Sequence, residues 1–295
     1  MIPFPEISPE IFSIDFLGVN FALRWYAVSY MLGFFCAIMI MKFFIARDQL
    51  WSVEGPSISG SQAESLLTYL ILGVIIGGRL GYVIFYNLEY YLLSPVDIIK
   101  IWDGGMAFHG GFIGVILAVI IFCYLNKISL WSTADLIAVS TPPGLLFGRV
   151  ANFINAELWG RPTDLWWGVV FPGELAQQCE GVTGPCARHP SQLYEAGLEG
   201  LVLFLVMFYF AFKGGFKKPG FLTGTFFTGY GLSRFFVEYF RVPDPQFFSP
   251  NNPYGFAYKL GDFGITMGQL LSVPMIVVGV ILFVACAIRH KAIEP

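Results

Sequence analysis

The sequence predicts an all-α polytopic membrane protein with about seven transmembrane helices and polar extracytoplasmic loops. Its 295 residues are 56% hydrophobic and only 13% charged, and the mean hydropathy of +0.67 is well above that of a soluble globular chain. Apolar runs of about 20 residues recur, and each is long enough to cross a hydrocarbon core of roughly 30 Å. We therefore expect a single integral membrane domain over residues 1–295.

The candidate spans are seven apolar runs, at residues 21–45, 63–86, 108–126, 133–154, 191–212, 220–240 and 266–288. The first follows a segment without a basic n-region, so we expect a retained span rather than a cleaved signal. The fourth contains Thr141, Pro142, Pro143 and Gly144, which predict a kinked or broken helix. Because backbone exposed at such a break needs polar partners, the break is typical of a cavity.

The distribution of basic residues predicts the orientation. Alternate loops carry Arg47, Lys127, Lys213, Lys217, Lys218, Arg289 and Lys291. This bias places the C-terminus in the cytoplasm, and an odd number of spans then places the N-terminus outside. The larger loop regions 155–190 and 241–265 are extracytoplasmic in this arrangement. Cys179 and Cys186 lie in the first of them, where a disulfide and a free thiol pair both remain open.

Composition and motifs exclude several classes of function. The net charge of −3 and the absence of a Lys/Arg-rich block give no reason to expect a nucleic-acid partner. The sequence has no His/Cys/carboxylate cluster with metal spacing, no Gly-Xaa-Ser-Xaa-Gly elbow and no phosphate loop. We therefore expect no metal, no cofactor and no acyl-serine chemistry.

Arg79, Arg149 and Arg234 fall inside or at the edge of predicted spans, where a central charge costs at least ~2.5–3.5 kcal/mol. Each of these arginines needs a partner or a function. In the sixth span Arg234 follows Tyr230 by four residues and precedes Glu238 by four and Arg241 by seven. At 100° per residue these side chains lie within about 80° of arc and form one polar stripe. An Arg234–Glu238 pair that only holds helices together is the alternative interpretation.

The fourth span ends in a dense polar run from Gly148 to Gly160. Its Arg149, Asn152 and Asn155 span about 120° of a helix and would line one wall of a cavity. A guanidinium that pairs with an anion, beside two amides, would suit a phosphate. Amides that only pack helices are the alternative, but they do not account for the arginine.

His109 lies at the outer edge of the third span, between two glycine pairs that allow close approach of backbone or ligand. It is a candidate general base, and a structural histidine with satisfied hydrogen bonds is the alternative.

The run Gly148–Gly160 resembles the signature of the prolipoprotein diacylglyceryl transferases, a family of integral bacterial membrane enzymes. Further blocks of that family occur in order, at Arg24–Tyr26, Gly77–Tyr82, Trp102–Gly111, His189–Glu195, Gly229–Arg234 and Arg241–Asp244. The resemblance covers nearly the whole chain. Ala151 stands where the family usually has glycine, a change between small residues.

The resemblance implies an enzyme of the bacterial cytoplasmic (inner) membrane that starts lipoprotein maturation. Its reaction moves the diacylglyceryl group of phosphatidylglycerol to the lipobox cysteine thiol of a preprolipoprotein and releases glycerol phosphate. The implied partners are phosphatidylglycerol, lipobox-containing preprolipoproteins and membrane lipids, without a cofactor. The candidate catalytic residues are His109, Arg149, Arg234 and Tyr230. The candidate residues for binding phosphatidylglycerol are Arg149, Asn152, Arg234, Tyr26, Glu157, Gly160, Arg79, Glu238 and Arg241.

Our mechanistic hypothesis is alkyl rather than acyl transfer. A thiolate attacks the glycerol carbon that bears the phosphate oxygen, and two guanidiniums stabilise the leaving phosphate. His109 or the field of the arginines promotes loss of the thiol proton. A transporter or flippase that binds an anionic substrate unchanged is the main alternative, although the chain lacks an internal repeat. A structural scaffold would leave the intramembrane arginines unexplained.

Overall fold

The computed structural model describes residues 1–16, 19–52, 55–179, 184–243, 247, 249, 252, 254–261 and 263–293. These residues are mostly helical, and five of their helices are long and apolar enough to cross a membrane. Contacts divide the chain into two compact units. The first unit comprises Met1–Ala37 and Ala138–Pro295, and the second comprises Ile38–Ile137.

The long helices follow the predicted runs, and two short helices lie between these runs. They are α1 (Trp25–Ile45), α2 (Gly60–Tyr86), α3 (Leu88–Leu93), α4 (Phe108–Asn126), α5 (Leu130–Ser140), α6 (Pro142–Ile154), α7 (Glu174–Gln177), α8 (Ser191–Glu195), a π-helix (Ala196–Val202), α9 (Leu203–Phe212), α10 (Phe221–Val237) and α11 (Met267–Ile293). The five candidate spans are α1, α2, α4, the continuous segment Ser191–Phe212, and Met267–Cys286 within α11.

The structure corrects the start of the first predicted span and confirms the break in the fourth. The first helix begins at Trp25, because Val19–Arg24 forms strand β3, which pairs antiparallel with β2 (Glu10–Phe16). The fourth run is broken as predicted: α5 ends at Ser140 and α6 begins at Pro142. Proline is favoured in the first turn of a helix, where its missing N–H has no intrahelical partner to lose. Since α5, α6 and α10 have 11, 13 and 17 residues, the count of seven crossings stays a prediction.

Glycines set the packing of α2 against α4 in the second unit. A Cβ built on Gly81 would lie 2.6 Å from the Cα of Gly110, and one on Gly77 would lie 2.8 Å from the Cα of Gly114. Such small residues allow two helix backbones to touch, which is how helices pack without a hydrophobic driving force in lipid. The contact fixes the first turn of α4, where His109 lies.

The N-terminal segment of the first unit forms a short parallel sheet. Strand β1 (Ile2–Pro3) pairs with β4 (Val169–Val170), and the backbone N–H groups of Ile2 and Phe4 donate to Gly168 and Val170. The alternate residues of this edge are prolines, at positions 3 and 5, which have no N–H group. The outer edge of the sheet therefore has no donor at these two positions.

A disulfide joins Cys179 to Cys186, with 6.2 Å between their Cα atoms, which answers the question that the sequence left open. Beside it, the Gln177 side chain donates to the Phe171 carbonyl (2.7 Å) and accepts from the Cys186 N–H (2.9 Å). Strands β5 (Tyr258–Leu260) and β6 (Phe263–Ile265) form a separate antiparallel pair before α11. The loop regions thus have regular contacts of their own.

Candidate functional site

Glu195 is the centre of a buried group of charges in the first unit. Its side chain is 0% exposed and contacts three guanidiniums. Arg149 Nε lies 3.1 Å from Oε2, while Arg234 Nη1 and Arg241 Nη1 lie 2.5 and 2.7 Å from Oε1. The contact with Arg149 lacks the alignment of a hydrogen bond, whereas the other two are hydrogen bonds. One carboxylate therefore holds three arginines from different parts of the chain.

Two further acids complete what we call the arginine–glutamate cluster. Glu238 Oε2 lies 2.9 Å from Arg234 Nη2 and 3.5 Å from Arg241 Nε. Glu199 Oε2 lies 3.4 Å from Arg149 Nη2. The cluster consists of Arg149, Arg234, Arg241, Glu195, Glu199 and Glu238. Its three guanidiniums match its three carboxylates, so the formal charges cancel when every member is ionised.

The acids and the arginines differ in their access to the surroundings. The side chains of Glu195 and Glu199 are fully buried, whereas those of Arg149 and Arg234 remain 21% and 19% exposed. The carboxylates therefore lie on the buried side of the cluster, and the guanidiniums lie on its accessible side. Each guanidinium has five N–H donors, and the carboxylates occupy only some of them. An incoming anion would meet donors held in place by buried acids.

The local fold explains why these side chains meet. A Cβ on Gly200, in the π-helix, would lie 2.8 Å from the Cα of Leu146 in α6, so glycine lets the two backbones approach closely. This contact brings the face that carries Glu199 against the turn that carries Arg149. π-Helical turns are rare in proteins, and those that occur often lie at functional sites.

The predicted stripe on α10 is only partly helical. Arg234 and Glu238 pair as the spacing i, i+4 predicts, but α10 ends at Val237 and Glu238 is its C-cap. Arg241 lies beyond the helix in a bridge with Gly160 and reaches Glu195 from the following loop. The prediction that Arg241 continues the helical stripe is therefore wrong, because the backbone leaves the helix after Glu238.

A second polar group surrounds the end of α6. The Tyr26 hydroxyl donates to Glu157 Oε1 and accepts from the Asn152 side-chain amide, which also donates to Glu157 Oε1 at 2.8 Å. These three residues come from α1, α6 and the turn after α6. Arg149 interacts electrostatically with Tyr26, so this group adjoins the arginine–glutamate cluster.

The turn that carries Glu157 has an unusual backbone. Ala156 and Leu158 have φ values of 53° and 55°, in the left-handed region that residues with a Cβ rarely adopt. Their neighbours hold them there, because Gln192 donates to the Glu157 carbonyl at 2.5 Å and Ser191 donates to the Leu158 carbonyl at 2.9 Å. Strain of this kind persists where surrounding contacts over-determine the backbone, as at ligand sites.

Gly160 ties the signature to two other segments. Its N–H donates to the His189 carbonyl at 2.8 Å, and the next residue, Arg161, donates from its N–H to the Phe240 carbonyl at 2.8 Å. A Cβ on Gly160 would lie 2.8 Å from the His189 carbonyl oxygen, so only glycine fits. Burial lowers the pKa of the His189 imidazole, because water is removed from its charged form. The predicted importance of Gly160 therefore has a steric basis.

Tyr230 lies beside the cluster, and Asn155 lies at the end of α6. Tyr230 is half-buried on α10 and interacts electrostatically with Arg149 and Glu199. Asn155, the C-cap of α6, buries an amide oxygen that has no hydrogen-bond partner among the described residues. The sequence predicts Asn155 in one wall of a cavity and Tyr230 in the polar stripe of the sixth span, and both roles stay predictions.

His109 and Arg79 belong to the second unit. His109 is exposed in the first turn of α4, where its ring contacts Phe108 edge-on at 5.8 Å. Arg79 is buried and donates to backbone carbonyls: those of Ile98 at 2.8 Å and Asp97 at 2.6 Å, and also that of Gly104. Within its unit Arg79 thus holds the loop that precedes α4. Its predicted contact with substrate, and the role of His109, stay predictions.

Sequence reasoning missed Glu195 and Glu199 as site residues. Both acids lie four residues apart in a predicted span, so the burial cost that singled out the arginines applies equally to them. A search for intramembrane carboxylates at helical spacing would have found them. Their choice of partners, however, depends on contacts between helices.

A cavity of about 890 Å³ lies elsewhere in the first unit, between the N-terminal segment and residues 170–172, 177 and 184–185. Its lining includes Phe4, Phe171 and Gln177 but no member of the cluster. The arrangement of charges, rather than this cavity, therefore defines the candidate site.

Comparison with known proteins decides the family. The family model described as prolipoprotein diacylglyceryl transferase matches residues 11–285. The chain belongs to the prolipoprotein diacylglyceryl transferase family. A relative from Cereibacter sphaeroides (strain ATCC 17025), a phosphatidylglycerol–prolipoprotein diacylglyceryl transferase, is 56% identical over 279 residues, which cover 94% of this chain and 95% of the relative.

Two other transferases of the same name extend the comparison. The protein from Roseobacter denitrificans is 53% identical over 292 residues and covers 99% of both chains. The protein from Rhizobium leguminosarum bv. trifolii is 46% identical over 280 residues, or 95% of this chain and 92% of the relative. The family that the sequence resemblance predicted is thus confirmed, and membership extends through both compact units.

Proposed function

We propose that this chain transfers the diacylglyceryl group of phosphatidylglycerol to the lipobox cysteine thiol of preprolipoproteins and releases glycerol phosphate. The observation that carries the proposal is the arginine–glutamate cluster, in which buried acids present partly exposed guanidiniums. Relatives over 50% identical along nearly the whole chain are named for phosphatidylglycerol and prolipoprotein. The cluster supports the proposal, because its guanidiniums provide positive charge for a lipid phosphate.

Arg149 and Arg234 hold the lipid phosphate in this proposal. Guanidinium forks match the geometry of phosphate oxygens, and the bonds strengthen where water is excluded. Arg241 adds a third guanidinium beside Glu195, and Glu238 fixes the orientation of Arg234 and Arg241 as their ion-pair partner. The phosphate leaves with more negative charge than it brings, so donors positioned beforehand stabilise the transition state more than the bound lipid.

The reaction forms a carbon–sulfur bond and breaks a carbon–oxygen bond. The thiolate attacks the glycerol carbon that carries the phosphate ester oxygen, and that oxygen takes the electron pair as glycerol phosphate leaves. The thiol loses its proton before or during attack, since the thiolate is the nucleophile. His109 remains the candidate base for this proton, and the positive field of the arginines is the alternative that would favour the same ionisation. Tyr230 lies beside Arg149 and contributes to the polar lining.

The group formed by Tyr26, Asn152 and Glu157 orients the lipid headgroup. A hydroxyl, an amide and a carboxylate provide both donors and acceptors for the hydroxyl groups of a glycerol. Gly160 keeps this turn close to Arg241 through the bridge between them. We keep Arg79 in the proposed binding set. It donates to the carbonyls of Ile98 and Asp97 and so holds the loop before α4.

We place the chain in the bacterial cytoplasmic membrane with seven crossings. In this arrangement α5 and α6 together form one broken crossing, and α10 forms another. The N-terminus and the regions 155–190 and 241–265 are extracytoplasmic, and the C-terminus is cytoplasmic. Accessibility of single introduced cysteines to a membrane-impermeant thiol reagent tests this orientation directly.

The test of the function uses purified protein in proteoliposomes. The liposomes contain phosphatidylglycerol labelled in its acyl chains, and a peptide with a lipobox cysteine is added. We expect label on the peptide, none on a peptide with serine in place of that cysteine, and a loss of at least about 100-fold for Arg149→Ala and Arg234→Ala. Arg24→Ala is the matched control, because Arg24 pairs with Glu10 on the surface and its side chain is 66% exposed.

Two outcomes would overturn the proposal. Well-folded parent protein that transfers no label, while lipid or solute crosses the bilayer unchanged, would favour the transporter. Equal loss of activity in Arg24→Ala and Arg149→Ala would show that the loss reflects the removal of any arginine, not the phosphate site.

A further inference from the structure

Glu199 differs from the other acids of the arginine–glutamate cluster in how it is paired. Its side chain is 0% exposed, and its Oε2 lies 3.4 Å from Arg149 Nη2. Its Oε1 is buried and has no hydrogen-bond partner among the described residues. A carboxylate in such a setting is costly, because burial removes water from both oxygens while a single long contact replaces it.

The neighbouring acids are held much more firmly. Glu195 contacts three guanidiniums at 2.5–3.1 Å, and Glu238 contacts two at 2.9 and 3.5 Å. Glu199 has only Arg149 as an ion-pair partner in the described part of the chain. Loss of one contact therefore leaves Glu195 and Glu238 paired but leaves Glu199 unpaired.

The charges of the cluster make this difference consequential. Three arginines and three ionised glutamates cancel, so an arriving phosphodiester would give the buried group a net charge of −1. The groups that face Glu199 are Arg149 on α6, Glu195 on α8, and Arg234 and Tyr230 on α10. Among the three acids, Glu199 would lose the fewest ion-pair contacts if it were protonated.

We infer that Glu199 is the counter-ion of Arg149 that the lipid phosphate displaces, a positioning residue for the proposed transfer. In the free protein it keeps Arg149 extended and paired. When phosphate binds, Arg149 turns its Nη2 group to the phosphate, and Glu199 takes up a proton from water because it is left buried without a partner. When glycerol phosphate leaves, Glu199 loses the proton and pairs again. This inference rests on the proposed function.

The variant Glu199→Gln imitates the neutral acid with nearly the same shape. It removes the competitor for Arg149, so we expect glycerol phosphate to bind about tenfold more tightly and the KM for phosphatidylglycerol to fall. Because the product carries more negative charge than the bound lipid, its release slows and kcat falls as well. A structural role for Glu199 would not produce tighter binding of the anion.

The matched control is Glu195→Gln, which makes the same charge change one helical turn away. Glu195 contacts three guanidiniums, so its replacement leaves them without a common partner and should weaken the binding of glycerol phosphate. The two variants therefore change affinity in opposite directions if Glu199 is a displaceable counter-ion. If both strengthened binding, net charge alone would account for the effect.

The experiment measures binding and turnover separately. Calorimetry of the full-length protein in detergent gives the Kd of sn-glycerol 1-phosphate without peptide, and the proteoliposome assay gives KM and kcat for phosphatidylglycerol. Unchanged or weaker binding to Glu199→Gln, in protein that unfolds at the parent's temperature, would overturn the inference. Parent protein that binds glycerol phosphate but transfers no label would overturn the proposed function instead, and the comparison of Kd values would still decide the role of Glu199.

Discussion

Replacement of Arg149 by alanine separates what this side chain does for stability from what it does for activity. Arg149 is one of three partners of Glu195 but the sole ion-pair partner of Glu199 in the described part of the chain. The variant therefore leaves Glu199 buried and unpaired, while Glu195 keeps Arg234 and Arg241. Breaking a buried pair from one side costs ~3–5 kcal/mol when the remaining group stays charged, and less when that group takes up a proton, as we infer for Glu199.

This magnitude is large enough to measure. For a chain of this size each kcal/mol shifts the unfolding temperature by roughly 2–4 °C, so Arg149→Ala should unfold below the parent by at most ~20 °C. Adding Glu199→Gln replaces the carboxyl group that has lost its partner by a neutral amide, and the double variant should regain most of the lost temperature. Activity should not return, because the phosphate still lacks Arg149.

The assay is thermal unfolding in detergent, followed by intrinsic tryptophan fluorescence, for the parent, both single variants and the double variant. The four values form a double-mutant cycle, and residues in one ion-pair network should show strong coupling. A double variant that unfolds no higher than Arg149→Ala would refute the pairing of these two side chains. Recovery of transfer in the double variant would refute the role of Arg149 in binding phosphate.

Three further perturbations test other features of the structure. Gly114→Ala should lower the unfolding temperature, because its Cβ would lie 3.0 Å or less from backbone atoms of α2. Gly111→Ala is the control and should not lower it, because the nearest backbone atom of α2 is 3.6 Å from that Cβ. Equal unfolding temperatures would contradict the helix contact. Replacing Cys179 and Cys186 by serine removes the disulfide that joins two residues seven positions apart, and it should cost ~2–3 kcal/mol in local stability. The measurement is the rate of proteolysis between the two positions, which should rise. A reductant should have the same effect on the parent and no effect on the variant. The folded pKa of His189 lies below the unfolded value, so its contribution to stability is complete above about pH 6.5 and is lost as the pH falls towards the folded pKa. His189→Gln should therefore reduce the fall in unfolding temperature below about pH 6.5. A curve parallel to that of the parent would contradict this.

Much of the architecture was predictable because lipid imposes strong rules on composition. The apolar runs located every long helix, and Pro142 and Pro143 marked the break between α5 and α6. The predicted start of α1 was wrong, because residues 21–23 are apolar like the span that follows but belong to strand β3. Apolarity alone does not distinguish a short strand from a helical turn.

The candidate site divides in the same way. The cost of burying a charge identified Arg149 and Arg234, and helical spacing identified the pair of Arg234 with Glu238. The end of α10 could not be predicted, because Tyr239 and Phe240 continue the apolar pattern past the last helical residue. The bridging position of Glu195 depends on three segments meeting, and one sequence does not specify such a meeting.

The prolines of the first strand have a consequence for a protein that is proposed to handle extended polypeptides. An exposed strand edge with free N–H groups is a template on which passing chains add further strands. At positions 3 and 5 the outward edge of β1 offers no such group, because the N–H groups of Ile2 and Phe4 are already turned inwards to β4. In the proposed orientation this edge faces arriving secreted chains, and without free N–H groups at these positions it would not seed their aggregation.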